Sequence, residues 1–307
     1  MMNNPTQKIY IGTGGYSDTD LLGTLYPTGT KKSDFLTHYA NHYGAVEINS
    51  TFYAPIGQKA IAGMLEKSQD FSTILSNQPL PDLFADSPTD TTPSTTVNTA
   101  NSKKSPLKFA LKLHQDFTHV RPHTDGSIAK HAQAFLNVLS PLIEADCLAP
   151  LLLQFPHGFD RTRENRLYLA QLVTYFAEFE LAIEFRHASW HVAQVEDSFR
   201  KQGLIWCSVD YPKVNGLPNS RFLLTNRTGY LRLHGNNLNW WDSQSASERH
   251  DYRYTETEMQ GWANTIANQR QHFDTLYIFF QNTTKAHSYY NIQMLTKALI
   301  NLGFEVL

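Results

Sequence analysis

The chain predicts a single (β/α)8 barrel spanning residues 1–307, and three observations carry that expectation. Eight short β-rich runs recur along the sequence, mostly with an amphipathic helix between them, and strict alternation of this kind builds a parallel sheet. Several of these runs end in polar or charged residues at alternate positions, as in Glu47/Asn49, Lys112/His114, Glu184/Arg186 and Arg232/His234. The rival architecture, an open doubly wound sheet, calls for a glycine-rich dinucleotide turn after its first strand. Gly12-Thr13-Gly14-Gly15 lacks the required spacing.

Lys8–Thr13 reads as the first strand and is broken by Gly14-Gly15. A helical pattern follows over Lys31–Tyr43, with Phe35, Leu36, Tyr39 and Tyr43 on one face, Ser33 as N-cap and Gly44 at the C′ position. Ala45–Asn49 is the second strand and Gly57–Lys67 a weaker helix. Residues 69–106 read as an insertion, and Asp86–Pro106 is almost entirely Ser, Thr, Pro, Asp and Asn, too polar to offset its ordering entropy by burial. The insertion falls between a helix and the next strand, so it belongs at the face of the barrel opposite the usual active site. Leu107–Leu113 is the third strand, Ser127–Ile143 a helix, and Leu148–Phe155 the fourth strand, an apolar run typical of a buried parallel strand. Arg163–Phe179 is helical and Ala182–Arg186 the fifth strand. Trp190–Gln202 is the next helix, closed by Gly203. Leu204–Val209, Gly229–Leu233 and Leu276–Phe280 complete the strands, with helices over Glu256–Gln271 and Ala286–Asn301.

Composition excludes several function classes. Of 307 residues, 41% are hydrophobic and 18% charged, enough for a large core, while a net charge of −2 and a pI near 6.7 provide no general basic field. Nucleic acid is therefore not favoured as a partner. Cys147 and Cys207 form neither a disulfide framework nor a zinc spacing and read as buried small hydrophobes. The N-terminal residues lack the apolar stretch of a secretory signal and no run is long enough to span a bilayer, so the expectation is a cytoplasmic protein without membrane contact.

Alternate residues of a barrel strand point inward, and the others pack on the helices. Val46/Ile48, Ile183/Phe185 and Leu231/Leu233 suit the helix side. Glu47, Asn49, Lys112, His114, Gln154, Glu184, Arg186, Arg232 and His234 then converge at the C-terminal mouth, where barrel enzymes carry their sites. Unpaired buried charges cost several kcal/mol, so Lys112, Arg186 and Arg232 must offset Glu47 and Glu184 or meet a ligand. Glu47 and Glu184 are candidate acid/base groups, with His234 a third. Lys112, Arg186 and Arg232 suit a phosphate or carboxylate, and Asn49, His114 and Gln154 can orient it. A structural ion-pair network closing the mouth is the bland alternative. His187 with Ser189 could cap the following helix, and Asp210 could be a third carboxylate or a turn residue. Gly12–Ser17 could offer backbone N–H groups to an anion. Tyr53, Trp190, Trp240 and Trp241 could stack on a sugar or base or could simply pack.

The chain resembles the YecE-like family, domain of unknown function 72. The resemblance rests on Gly12-Thr-Gly-Gly-Tyr-Ser17, Leu25-Tyr-Pro27, Val46-Glu-Ile-Asn-Ser-Thr-Phe-Tyr53, Phe109-Ala-Leu-Lys112 and Thr118-His119. It extends through Leu153-Gln-Phe-Pro156, Glu184-Phe-Arg-His-Ala-Ser-Trp190, Leu231-Arg-Leu-His-Gly235, Phe280-Gln-Asn282 and the Tyr252, Tyr254 and Trp262 pattern. It covers the chain apart from about 69–105 and implies a TIM-type barrel without a reaction. It adds Asn282 to the substrate-binding candidates. Gly14 and Tyr16 depart from the serine and tryptophan usual there.

The expected function is acid/base chemistry on a small polar or anionic molecule, such as a sugar or sugar phosphate. One alternative is a divalent-metal phosphoesterase or isomerase using Glu47, Glu184, Asp210, His114 and His234 as ligands. Others are a glycoside hydrolase using the two glutamates and a non-catalytic module binding a ligand or nucleic acid. No motif in the chain specifies a cofactor or a metal.

Overall fold

The computed structural model describes residues 7–69, 105–121 and 127–307. Seven parallel strands form one ladder in the order β4 (Leu151–Phe155), β5 (Leu181–Phe185), β6 (Ile205–Asp210), β7 (Thr228–Leu233), β8 (Thr275–Phe280), β1 (Lys8–Thr13) and β9 (Glu305–Val306), and β2 (Ala45–Ile48) pairs with β3 (Lys108–Leu111). Two parallel bridges, Phe109 to Leu148 and Lys112 to Leu152, join β3 to the β4 side. Closure is therefore complete except between β1 and β2, and the architecture is a TIM-type (β/α)8 barrel.

The β1–β2 seam is closed without a ladder. Near the strand starts, β9 lies on β1 and Leu307 exchanges backbone bonds with Ile9 and Ile11 at 2.8 and 3.2 Å. Toward the strand ends, the Tyr39 hydroxyl accepts from the Thr13 N–H at 2.7 Å and donates to the Ala45 carbonyl at 3.0 Å. Gly12 makes this approach possible, since a Cβ there would stand 1.7 Å from the Ala45 oxygen.

Helices α1 (Phe35–His42), α2 (Gln58–Gln69), α3 (Ser127–Asn137), α4 (Ser140–Glu144), α5 (Arg163–Thr174), α6 (Ala193–Gln202), α7 (Ala246–Arg249), α8 (Glu256–Asn268) and α9 (His287–Asn301) surround the strands. Local chemistry sets several boundaries. Thr162 caps α5 by accepting the Asn165 N–H, and Thr255 with Glu258 forms a reciprocal capping box on α8. The single helix expected over 127–143 is two, with Pro141 in the first turn of the second. Ser33 lies within a 3-10 turn that precedes α1 and does not cap that helix. Gly44 is not a left-handed terminator; α1 ends in extended backbone at Tyr43, and Gly44 lets the Leu307 backbone pass close by. The expected 69–106 insertion lies, from 70 to 104, outside the described residues.

The inward/outward phase matches the sequence expectation. Val46, Ile48, Ile183, Phe185, Leu231 and Leu233 belong to the layer between strands and helices. A second cluster fills the barrel with Tyr10, Ala45, Ala110, Leu152, Ala182, Cys207, Tyr230, Tyr277 and Phe279. Tyr10 and Tyr277 stack at 5.1 Å beside small alanines. Both cysteines are buried free thiols. No helix among the described residues is long and apolar enough to cross a membrane.

The seam generates a test. Tyr39→Phe removes the hydroxyl and leaves the buried Thr13 N–H and Ala45 carbonyl without their partner, at an expected cost of about 1–3 kcal/mol. Urea denaturation measures it, and an unchanged midpoint would show that the hydroxyl does not hold the seam.

Candidate functional site

Above the apolar filling, the next inward residue of several strands is polar. Glu47 follows Ala45 on β2, Glu184 follows Ala182 on β5, and Arg232 follows Tyr230 on β7. The three side chains are at most 3% exposed and form one unit. Arg232 grips Glu47 with two parallel bonds, Nε to Oε2 at 3.0 Å and Nη2 to Oε1 at 2.8 Å, while its Nη1 donates to Glu184 Oε2. This bidentate geometry is the strong form of a carboxylate–guanidinium pair.

Most of the remaining carboxylate lone pairs are also occupied. Glu47 accepts from the Tyr230 hydroxyl at 2.7 Å and from Gln281 Nε2 at 3.0 Å. Glu184 accepts from Arg186 Nε at 3.0 Å and from the Tyr211 hydroxyl at 2.9 Å. Burial would raise the Glu184 pKa, but Arg232 and Arg186 outweigh it and hold the carboxyl at about 2. Burial and the adjoining carboxylates push the Tyr211 and Tyr230 hydroxyls well above their usual range, so both remain donors.

A cavity of about 470 Å³ opens over this unit. Lys112, Arg186 and Arg249 line it with Asn49, Gln154, His119, His234, His250 and Gln281, and Phe52 and Tyr53 form part of its wall. Lys112 Nζ donates to Gln154 Oε1 at 2.8 Å and sits 3.8 Å from the Phe52 ring centre. Among the described residues no carboxylate lies within salt-bridge distance of it. Burial lowers its pKa, and Arg232 and Arg186 lower it further, to about 7. Arg186 spends Nε on Glu184 and is part-exposed at the cavity. Arg249 donates to the Trp240 carbonyl; burial and then Arg186 lower its pKa.

The histidines are held neutral. Burial, with Lys112 and Arg186 after it, lowers His119 to about 4. Burial, Arg186 and Arg232 lower His250 to about 3. Burial first, then Arg232, pushes His234 well down too. His234 Nδ1 meets His250 Nε2 at 3.2 Å, and the buried His234 Nε2 has no partner among the described residues. Asn49 Oδ1 is likewise buried and unmatched, while its Nδ2 donates to the Gly14 carbonyl at 3.1 Å.

Of the residues singled out from sequence, Asn49, Lys112, Gln154, Arg186, Arg232 and His234 line the cavity, with Glu47 and Glu184 directly beneath through Arg232. Two stand apart. His114 caps the turn after β3 by accepting the Asp116 N–H at 3.3 Å, and its ring faces His131 of α3. Asn282 donates to the Tyr252 carbonyl and to Asn291, behind the strand. The chain bends after its last strand residue in each case, so the alternation that aims Lys112 inward does not extend to His114. Asp210 also faces outward, toward the Tyr254 hydroxyl at 2.8 Å, and burial raises its pKa. The five-residue metal set of Glu47, Glu184, Asp210, His114 and His234 is therefore not assembled. His187 accepts the Ser189 N–H and caps a 3-10 turn, the structural job open to it in the sequence. Trp190 is core, stacked on Phe185 at 4.4 Å, whereas Tyr53 is exposed at the cavity. Gly14, in the loop read as an anion nest, spends its N–H on the Phe280 carbonyl.

Tyr211, Tyr230, Gln281, His119, Arg249 and His250 were missed. Tyr230 and Gln281 continue the inward phase of β7 and β8 and were legible in principle. Arg249 and His250 come from α7 and its end, which no strand pattern reaches.

Comparison with known proteins accords with the fold. A profile described as "Protein of unknown function DUF72" matches residues 10–75 and 90–304. The chain belongs to that family. It is 24% identical over 292 residues to the UPF0759 protein YunF of Bacillus subtilis, covering 90% of this chain and 89% of that one. A solved DUF72 protein of Thermotoga maritima superposes with a TM-score of 0.77 at 28% identity, covering 95% of this chain and 99% of the other. An Enterococcus faecalis DUF72 structure gives 0.73 at 21% identity and 97% of each chain, a likeness of fold.

Two outcomes are expected. Arg232→Met strands two buried carboxylates and should cost about 3–5 kcal/mol, whereas adding Glu47→Gln and Glu184→Gln should recover much of the loss. Chemical denaturation of the single and triple variants compares them, and equal losses would refute the pairing. Glu184 is also depressed below its ordinary 4.5, so its stabilisation is present above that pH and is lost as pH falls toward about 2. Stability curves should show a contribution on the order of 3 kcal/mol over that window, absent in Glu184→Gln.

Proposed function

We propose that this DUF72 protein is an enzyme acting on a small anionic molecule, phosphate- or carboxylate-bearing, at the barrel mouth, with Lys112 as the group that moves a proton. The observation that carries the reading is the crowding of Lys112, Arg186 and Arg249 around one cavity whose wall offers only the Asp18 carboxylate among the described residues, while the two buried carboxylates beneath are already committed to Arg232 and Arg186. Burial and then the neighbouring arginines lower Lys112 and Arg249, and an incoming anion would relieve that repulsion. An amine at about 7 is poised for proton transfer near neutral pH, as a general acid or base should be.

This shifts the roles first assigned by sequence. Glu47 and Glu184 act as fixed counter-charges that aim Arg232 and Arg186. A glutamate held at about 2 cannot deliver a proton near neutral pH, and Glu47 already accepts four hydrogen bonds. The same facts weigh against a glycoside hydrolase built on this pair, which needs one protonated carboxyl. Asn49 Oδ1 and His234 Nε2, each buried without a partner among the described residues, would orient the ligand, with Gln154 holding Lys112. A nucleic-acid module is less well supported, because the cations surround a cavity and the chain carries a net charge of −2.

Sulfate tests the reading because it does not titrate in the working range. Its affinity, measured by calorimetry, should be full below pH 7 and fall roughly tenfold per unit above it, as the free Lys112 loses its proton. Lys112→Met should bind weakly and lose that pH dependence. Affinity independent of pH, or a Lys112→Met variant that binds like the parent, would overturn the proposal.

A further inference from the structure

The geometry points to a zinc-type divalent metal site at His114, Asp116 and His131, outside the barrel mouth. His114 and Asp116 flank the start of the 3-10 turn Gln115–Phe117 that follows β3, and His131 comes from the middle of α3. Among the described residues this is the group of three His, Cys, Asp or Glu side chains whose ligand atoms all lie within 4.8 Å of one another.

The distances fit a shared cation. Asp116 Oδ2 is 3.3 Å from His114 Nδ1 and 3.6 Å from His131 Nδ1. Ligands bound tetrahedrally at about 2.0–2.1 Å stand roughly 3.3 Å apart along each edge. The His131 contact is beyond hydrogen-bond length, whereas a metal between the three atoms would draw one ligand atom from each side chain.

The protonation logic at His114 points the same way. Its Nδ1 stands 3.3 Å from the Asp116 N–H, a donor, and 3.3 Å from the Asp116 carboxylate, an acceptor. A single ring nitrogen carries either a proton or a lone pair, so it cannot serve both. A cation would take the Nδ1 lone pair from the long 3.3 Å Asp116 N–H bond and bring in the carboxylate beside it as a second ligand.

Two imidazoles and one carboxylate select a borderline ion. Calcium and magnesium prefer all-oxygen cages, whereas imidazole suits zinc and its neighbours. Three protein ligands leave one position open, and the side chains are 11%, 27% and 29% exposed, so solvent reaches the site. The ion would tie the turn after β3 to α3. Lys112 and His119, which line the mouth, flank that turn in sequence.

The test is calorimetric titration of Zn²⁺ into the untagged, chelator-stripped full chain at neutral pH. One ion per chain is expected, with affinity weakened roughly tenfold or more in Asp116→Asn and in His131→Gln. Circular dichroism checks that both variants fold. A readout on the unaltered chain is the imidazole ¹⁵N spectrum, in which Zn²⁺ should shift the Nδ1 signals of His114 and His131. No saturable binding, undiminished binding by folded variants, or shifts confined to other histidines would overturn the site.

Discussion

The buried guanidinium of Arg232 is the constraint on which the mouth of this barrel depends. Two carboxylates with no solvent exposure are tolerable only because one planar, five-donor cation lies between them. Its fork fixes Glu47 on β2 relative to Arg232 on β7, across the barrel, and its third nitrogen reaches β5. Tyr230, Tyr211, Gln281 and Arg186 then complete the acceptors. Such a network specifies geometry more than it adds stability, since desolvation cancels much of the Coulomb attraction.

That network also sets the electrostatics above it. By consuming the two buried carboxylates it leaves Lys112, Arg186 and Arg249 facing a cavity whose wall carries, among the described residues, the single carboxylate of Asp18. Burial first, and the same surplus after it, keeps His119, His234 and His250 neutral. A lysine near its titration point is suited to exchanging protons with a bound molecule, whereas a glutamate held at about 2 is not. The apolar floor of Tyr230, Tyr277 and Phe279 keeps the network dry and makes each of these shifts large.

Much of this was legible in the sequence because strand alternation is rigid. Once Ile183 and Phe185 are assigned to the helix side, Glu184 must face inward, and the same argument places Glu47, Lys112 and Arg232. The rule fails where the strand ends. His114 and Asn282 lie just past β3 and β8, where turns redirect the side chain. Arg249 and His250 arrive from a short helix in a loop with no periodic signal. The pairing itself was only half visible. Charge balance suggested that Lys112 would help neutralise the glutamates, yet Arg232 and Arg186 suffice, and Lys112 is left to Gln154 and the Phe52 ring. That distinction depends on the geometry of the guanidinium fork, which composition does not encode. The seam between β1 and β2 is similar: Gly12 is readable as a break in bulk, but the role of the Tyr39 hydroxyl depends on how α1 packs.

The most direct test of this account is the titration of Lys112 followed by NMR of ε-¹³C-lysine-labelled protein, with Lys112→Met assigning the signal. A midpoint near 7 that rises when a non-titrating anion is added would establish a crowded cation awaiting its counter-charge. A midpoint at the ordinary 10.5, unmoved by anions, would contradict it and leave the mouth as a self-neutralised ion-pair network.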